Sequence, residues 1–344
     1  MPDVRTRRRR TRHTVILLVL LLLCGSVYAL IARDVTHDDQ RVAGRSTAPA
    51  DVVTSTSPVA PFRGVGNARS VGLAGQGLTC DSLPAYTGPE QVTARTVLSR
   101  QRFEAPLDLS AGGITITQSC FRPTSVGRGL PAVSTTDHNS GRMATSTVTI
   151  RESDFDGSLL DPETAAFSTG FIGVANLTDN YVSGFGSGLA IMGSGEQLDA
   201  RVEGNYVTGL VAWGDGATTG NHSSAFTVRD FSGAVRPDRA LVVRGNRFDS
   251  SSGNDTGAVF IQTFSGRIDN VLLEANLLEG LGYQFGLEET NHPYSGIHVV
   301  DNRATGTGWG PAYVSGGPGP ARWVDNRLYD PTADAGRGEA IPAP

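Results

Sequence analysis

The sequence contains no lysine: all 29 basic residues of its 344 are arginine. A phosphate-gripping P-loop lysine, a Schiff-base lysine and the lysine of a Ser-Lys dyad are thereby excluded. Cysteine is nearly absent too, with three copies, one of them in the apolar run near the N-terminus. Aromatic residues make up only 7% of the chain. The net charge is −5, but seven Arg and a single acid, Asp3, fall in residues 1–33, leaving 22 Arg against 33 acids, about −11, for the rest. A body of that sign argues against nucleic acid as a partner, because phosphate binding needs a basic surface. It is compatible with Ca²⁺-dependent carbohydrate chemistry, but a mildly acidic solvated surface is the commoner explanation.

What the chain does have is a repeat. Two apolar residues at alternate positions are followed by a short gap, an Asn, and another apolar residue. The pattern reads Leu241, Val243, Asn246, Phe248, then Val271, Leu273, Asn276, Leu278, then Ile297, Val299, Asn302, Ala304. Ala321, Trp323, Asn326 and Leu328 fit the same frame, as do the sets containing Asn180 and Asn205, and two earlier copies carry Ser119 and Ser153 in place of Asn. The polar member recurs at steps of 34, 27, 25, 41, 30, 26 and 24 residues. Apolar residues two apart mean strands with one face buried, and one such strand per 25 to 30 residues predicts a β-solenoid of about eight turns. Asn suits the bend after each strand because it tolerates the left-handed backbone region, and stacked amides can hydrogen-bond in a ladder. A second strand is expected some ten residues later, at 189–192, 258–262, 284–288 and 312–315.

The 43 glycines suit a fold full of tight corners. The chain resembles the right-handed parallel β-helix proteins, the pectin-lyase-like superfold, and more narrowly the secreted β-helix proteins of actinobacteria. The resemblance covers residues 78–330 and rests on Tyr86 and Gly88 leading to Ile114, Ile116 and Ser119, on the segment from Thr147 to Ser153, on that from Asn254 to Gln262, and on that from Gly308 to Pro311. It implies an all-β, right-handed parallel β-helix. It does not by itself imply one activity, since this superfold hosts lyases, hydrolases, epimerases and binding proteins.

Five segments are expected: a basic cytoplasmic stretch over 1–13, an apolar membrane anchor or signal peptide over 14–32, a flexible linker over 33–77, the β-helix domain over 78–330 and a disordered tail over 331–344. The run from Thr14 to Ala32 carries no charge and comes after Arg5, Arg7 to Arg10 and Arg12, an order that sends the downstream chain across the membrane. The product is expected to be extracytoplasmic. The expectation is a single-pass anchored protein held in the membrane by residues 14–32, or a secreted one cleaved after Ala29. Leu22 and Leu23 before Cys24 do not make a lipoprotein signal. Cys80 and Cys120 remain, and in an oxidising compartment two cysteines most simply pair, the alternative being two buried thiols.

Chemistry is expected where the second strands stack. The longest step between repeats, 205 to 246, holds Trp213, Asp215, His222, Arg229 and Asp230. Proteins of the resembled family often read His, any residue, Asp, Gly, apolar, Gln there. His222 matches the His, but Ser224, Ala225 and Thr227 replace the Asp, Gly and Gln. That loses a carboxylate, and a plain loop histidine is the competing reading of His222. If the strands stack, Arg229 or Asp230, Gln262 and Glu288 fall on neighbouring turns. The candidate catalytic set is therefore Asp230, Glu288, His222 and Arg229, with Asp215, Gln262, His292, Trp213 and Trp309 as substrate contacts. Two carboxylates would suit glycoside hydrolysis. Ca²⁺ beside an Arg base would suit uronate β-elimination, as in the pectate lyases of the resembled fold. Tyr283, Tyr294 and Tyr313 add stacking surfaces for sugar rings or, equally, core and cap packing. Expected partners are polysaccharide or cell-surface glycan. The expected function is polysaccharide binding with lyase or hydrolase cleavage, the alternative being a non-catalytic glycan- or surface-binding protein, adhesive or structural.

Overall fold

The computed structural model describes residues 65–344 except 194, 196, 306 and 307. The expected segments 1–13 and 14–32, and the linker as far as residue 64, lie outside the described residues. Among the described residues no helix is long and apolar enough to cross a membrane.

The described chain is all-β apart from two short α-helices and two 3-10 turns. It passes in order through three sheets and then repeats the circuit. In the first sheet nine strands, from Val97–Ser99 to Arg322–Val324, pair in parallel, each with the strand one circuit later. The second sheet stacks Arg102–Phe103 through Arg327–Tyr329 in the same way, and the third stacks Leu107–Asp108 through Gly310–Ser315. Register is held from circuit to circuit: Leu241 lies beside Val271, Val271 beside Ile297, and Phe226 beside Val259, which lies beside Phe285. The alternate residues of the repeat point inward and form one continuous core, in which Ile116, Ile150, Leu177, Val202, Val243 and Leu273 are fully buried. Phe103, Phe121 and Phe155 stack at 5.0 and 4.6 Å along its first circuits.

The polar member of the repeat forms the expected ladder. The backbone N–H groups of Ser119, Ser153, Asn180, Asn205, Asn246, Asn276 and Asn302 each donate to the side-chain oxygen of the next member, at 2.9 to 3.1 Å, ending on Asn326. From Asn180 to Asn302 the amide Nδ2 also donates to the next Oδ1. One expectation is corrected. The left-handed residue is the one before the ladder member: Gln118, Glu152, Asp179, Ala275, Asp301 and Asp325 have φ between 48° and 56°, and Gly204 and Gly245 take the place at 68° and 63°. The ladder residue itself points inward, and its amide satisfies backbone groups that a tight corner would otherwise bury unpaired.

Both ends of the expected domain move outward. Residues 65–77, expected to be linker, lie across the second sheet. Leu73, in the helix Gly72–Gly75, is buried with Cys80, Leu83 and Cys120, and its N–H donates to Asp154 Oδ1 at 2.9 Å. Cys80 and Cys120 are disulfide-bonded with Cα atoms 5.3 Å apart. Residues 331–344, expected to be a disordered tail, carry the turn Asp334–Gly336 and the strand Arg337–Ala340, which pairs antiparallel with Arg327–Tyr329. Beneath them the fully buried Arg303 bonds to Asp301 at 2.8 Å and to the Ala335 carbonyl at 3.2 Å. Trp323 Nε1 donates to the Ile341 carbonyl at 2.9 Å. The end of the stack exposes apolar surface and backbone groups, and this segment covers part of both.

Candidate functional site

The third sheet has the longest outer face, because its strands grow from two residues at Leu107–Asp108 to eight at Asp255–Gln262. Along it Phe226, Val259 and Phe285 face the core, so the next residues in each strand, Thr227, Phe260, Gly286 and Tyr313, share one outward column. Glycine at 286 has a steric reason: a Cβ there would strike the Phe260 ring, which lies over the neighbouring strand and is thereby buried. Two residues further along, Gln262, Glu288 and Ser315 form a second outward column. Gln262 Nε2 donates to Glu288 Oε2. Arg229, one residue past the Val228 to Ile261 pairing, comes into register with Gln262 at the same end of the sheet. It is half-buried, and among the described residues its guanidinium makes no hydrogen bond or ion pair. Burial pushes its pKa below the usual arginine value, and the nearby Glu288 carboxylate partly opposes that shift.

An aromatic group stands on the same sheet nearer the start of the strands. The Tyr283 ring stacks on Tyr313 with centroids 4.7 Å apart and planes at 20°, and Trp309 meets Tyr283 edge-on at 5.5 Å and 79°. Trp309 is 66% exposed. Gly310 follows Trp309 at φ 151°, a backbone conformation that favours glycine, beside the Tyr283 ring.

Other residues picked from the sequence fall elsewhere. His222 is exposed just before Ser223–Val228, and Arg229 just after it. Seven residues of extended chain put them roughly 20 Å apart. His222 lines a shallow hollow with Phe167, Thr169 and Ser187 on the earlier circuits. It therefore does not join Arg229, Gln262 and Glu288 in one constellation. The Asp215 carboxylate accepts from the Ala217 N–H at 2.9 Å and the Thr218 hydroxyl at 3.3 Å, and its carbonyl accepts from Gly220, so it is the pivot of a local turn. Asp230 lies beside Gly266, and its carbonyl accepts from the Gly193 N–H. His292 is exposed in the loop beyond Glu288. Trp213 is exposed at the corner that precedes the third sheet. Tyr294, expected as a stacking surface or as core packing, is buried, its hydroxyl donating to the Gly316 carbonyl at 3.1 Å and accepting from the Gly319 N–H at 2.9 Å. Two contributors escaped the sequence reading, Phe260 and Gly286, because an outward phenylalanine looks like core until register is known.

Ca²⁺ does not fit this face. It takes six to eight oxygen ligands, and Glu288 has only Gln262 and Ser315 in its column. Among the described residues the one close group of three acidic, His or Cys side chains is Cys80, Cys120 and Asp156, two of which are in the disulfide. The face can stack a planar or apolar ring on the aromatic group, and offer hydroxyl groups an amide, a carboxylate and a guanidinium.

Comparison with known proteins finds no matching family model, no similar curated protein and no similar solved structure.

Proposed function

We propose that this protein is an extracytoplasmic glycan-binding protein of the right-handed parallel β-helix, pectin-lyase-like class, which holds polysaccharide against the outer face of its third sheet. The observation that carries the reading is the Tyr283, Tyr313 and Trp309 group, whose most exposed member stands clear of the core on the same face as the polar Gln262 and Glu288 pair. Sugar rings present apolar C–H faces and polar rims, and such a surface meets both. The disulfide supports placement outside the cytoplasm, where a thiol pair stays oxidised. Right-handed winding is the expected hand for parallel strands joined by crossovers.

The test is affinity for polysaccharides, read by titration calorimetry. Replacing both tyrosines, Tyr283→Ala with Tyr313→Ala, should weaken binding about tenfold or more, near 1.4 kcal/mol. Unchanged affinity in a folded double variant would remove the reading.

A second reading, β-eliminative cleavage of a uronate, is favoured by Arg229. Burial that lowers the Arg229 pKa shifts the side chain toward the neutral guanidine, the form that can accept a proton. Unsaturated-uronate absorbance produced by the wild type and lost in Arg229→Lys would support it, and no absorbance from any uronate polymer would exclude it.

A further inference from the structure

The corner between the second and third sheets carries an unusual share of the exposed apolar side chains. Among the described residues eleven large hydrophobic side chains are exposed, and five of them, Leu130, Leu159, Trp213, Leu281 and Trp309, sit at this corner, one each in five circuits, with the circuits at 184–186 and 250–254 contributing none. The loops there stack on one another. Asn254 Nδ2 donates to the Trp213 carbonyl at 3.3 Å and to the Gly214 carbonyl at 3.2 Å, Leu281 N–H reaches Asp255 Oδ1 at 3.4 Å, and Trp309 N–H donates to the Gly282 carbonyl at 3.1 Å. Trp213 is thus carried on a fixed loop, since Asn221 Oδ1 also accepts its N–H at 2.9 Å.

Between Trp213 and Trp309 the corner is nearly free of charge. Its described residues, 208–222, 250–254, 280–282 and 308–309, include only Asp215 and His222 as ionisable groups, and the Asp215 carboxylate is engaged in its own turn. The corners between those of the two tryptophans carry Ser251, Ser252, Gly253 and Asn254 in one circuit and the exposed Leu281 in the next. No arginine stands in the corridor, and the whole chain carries −5, so a carboxylated or sulfated polymer would find no counter-charge there and would meet an acidic molecule. An uncharged one meets apolar rings separated by hydroxyl and amide groups and one further apolar side chain, Leu281.

We infer that this corner is an extended binding track for an uncharged linear polysaccharide, laid parallel to the stack of circuits and stacked on Trp213 at one end and Trp309 at the other. The inference rests on the glycan-binding reading and adds its substrate class, direction and length. Three parallel pairings separate the circuits of Trp213 and Trp309. At about 4.8 Å each, the two rings lie about 14 Å apart along the axis, so only a chain of several sugars can touch both.

The experiment is titration calorimetry on the purified full-length protein with uncharged hexasaccharides of cellulose, xylan and mannan, the corresponding disaccharides, and hexagalacturonate. Wild type, Trp213→Ala, Trp309→Ala and the double variant are compared, with far-ultraviolet circular dichroism to show that each is folded. At least one uncharged hexasaccharide should bind about tenfold or more tightly than its disaccharide, and hexagalacturonate should bind more weakly. Trp213→Ala should reduce hexasaccharide affinity more than disaccharide affinity, whereas Trp309→Ala should weaken both. If Trp309→Ala weakens binding and Trp213→Ala does not, the track is wrong while the glycan-binding reading stands. Preference for hexagalacturonate overturns the substrate class. If neither tryptophan matters, or if no sugar binds and the substitutions instead abolish self-association of the protein, both readings fall.

Discussion

A buried asparagine does two jobs in each circuit. Asn246 Oδ1 accepts the Asn205 backbone N–H at 2.9 Å and its Nδ2 donates to the Val202 carbonyl at 2.8 Å, both inside the stack. Asn246→Ala removes both partners and leaves a buried N–H and a buried carbonyl unpaired. Each such group costs about 1 to 3 kcal/mol, so the expected loss is about 2 to 6 kcal/mol, read from denaturant unfolding. A loss below about 1 kcal/mol would mean that water or a shifted backbone replaces the ladder. The repeat of Asn was plain in the sequence because its period is that of the fold. Its inward direction was not, because Asn also favours exposed turns, and only the register showed that Asp, Gly and their neighbours take the left-handed positions instead.

At the scale of the element, the segment over 65–83 acts as a strap across the second sheet. Its hold combines the disulfide, the Leu73 side chain, and Asp154, whose carboxylate lies beneath it. Burial raises the Asp154 pKa to about 6, opposed by the Leu73 N–H; Asp156 adds to the rise and Arg122 opposes it. Asp81 on the strap is paired to Arg122 at 2.7 Å, and Tyr181 flanks the same spot. A carboxyl with a higher pKa when covered binds its proton more tightly in the docked state. The strap is therefore held best below pH 4, loses that contribution as pH rises from about 4 to about 6, and gains no more from this group above it. Amide exchange at Leu73, corrected for its intrinsic pH dependence, should be better protected at pH 5 than at pH 7.5, and Asp154→Asn should remove the difference. Equal protection in the wild type would contradict it. The disulfide closes 40 residues and contributes about 4 kcal/mol by the loop-entropy estimate, so the strap loosens without being lost. The disulfide was legible from the two cysteines, but the docking of residues 65–77 was not. Their Gly, Ser and Ala content looks like linker, and one buried leucine does not make a periodic signal. The C-terminal strand was missed for the same reason, being a single strand without the repeat.

For the whole molecule, sequence spacing specified strands, stacking direction and the alignment of Gln262 with Glu288, because a solenoid turns distance along the chain into adjacency by a fixed step. It failed where position along a strand matters. His222 and Arg229 are close in sequence, but an extended strand carries them to opposite ends of the face. The aromatic group was legible only as residue types, since Tyr283, Tyr313 and Trp309 belong to two circuits and meet through register. The central claim is that this face binds sugar. Its most direct test is hydrogen–deuterium exchange of the full-length protein with and without the polysaccharide that binds best in a screen. Ligand-induced protection should be confined to 281–288 and 309–315 and the corner around 213. Protection elsewhere on the stack, on the second-sheet strap or the first sheet, or no protection at saturating ligand, would contradict the claim.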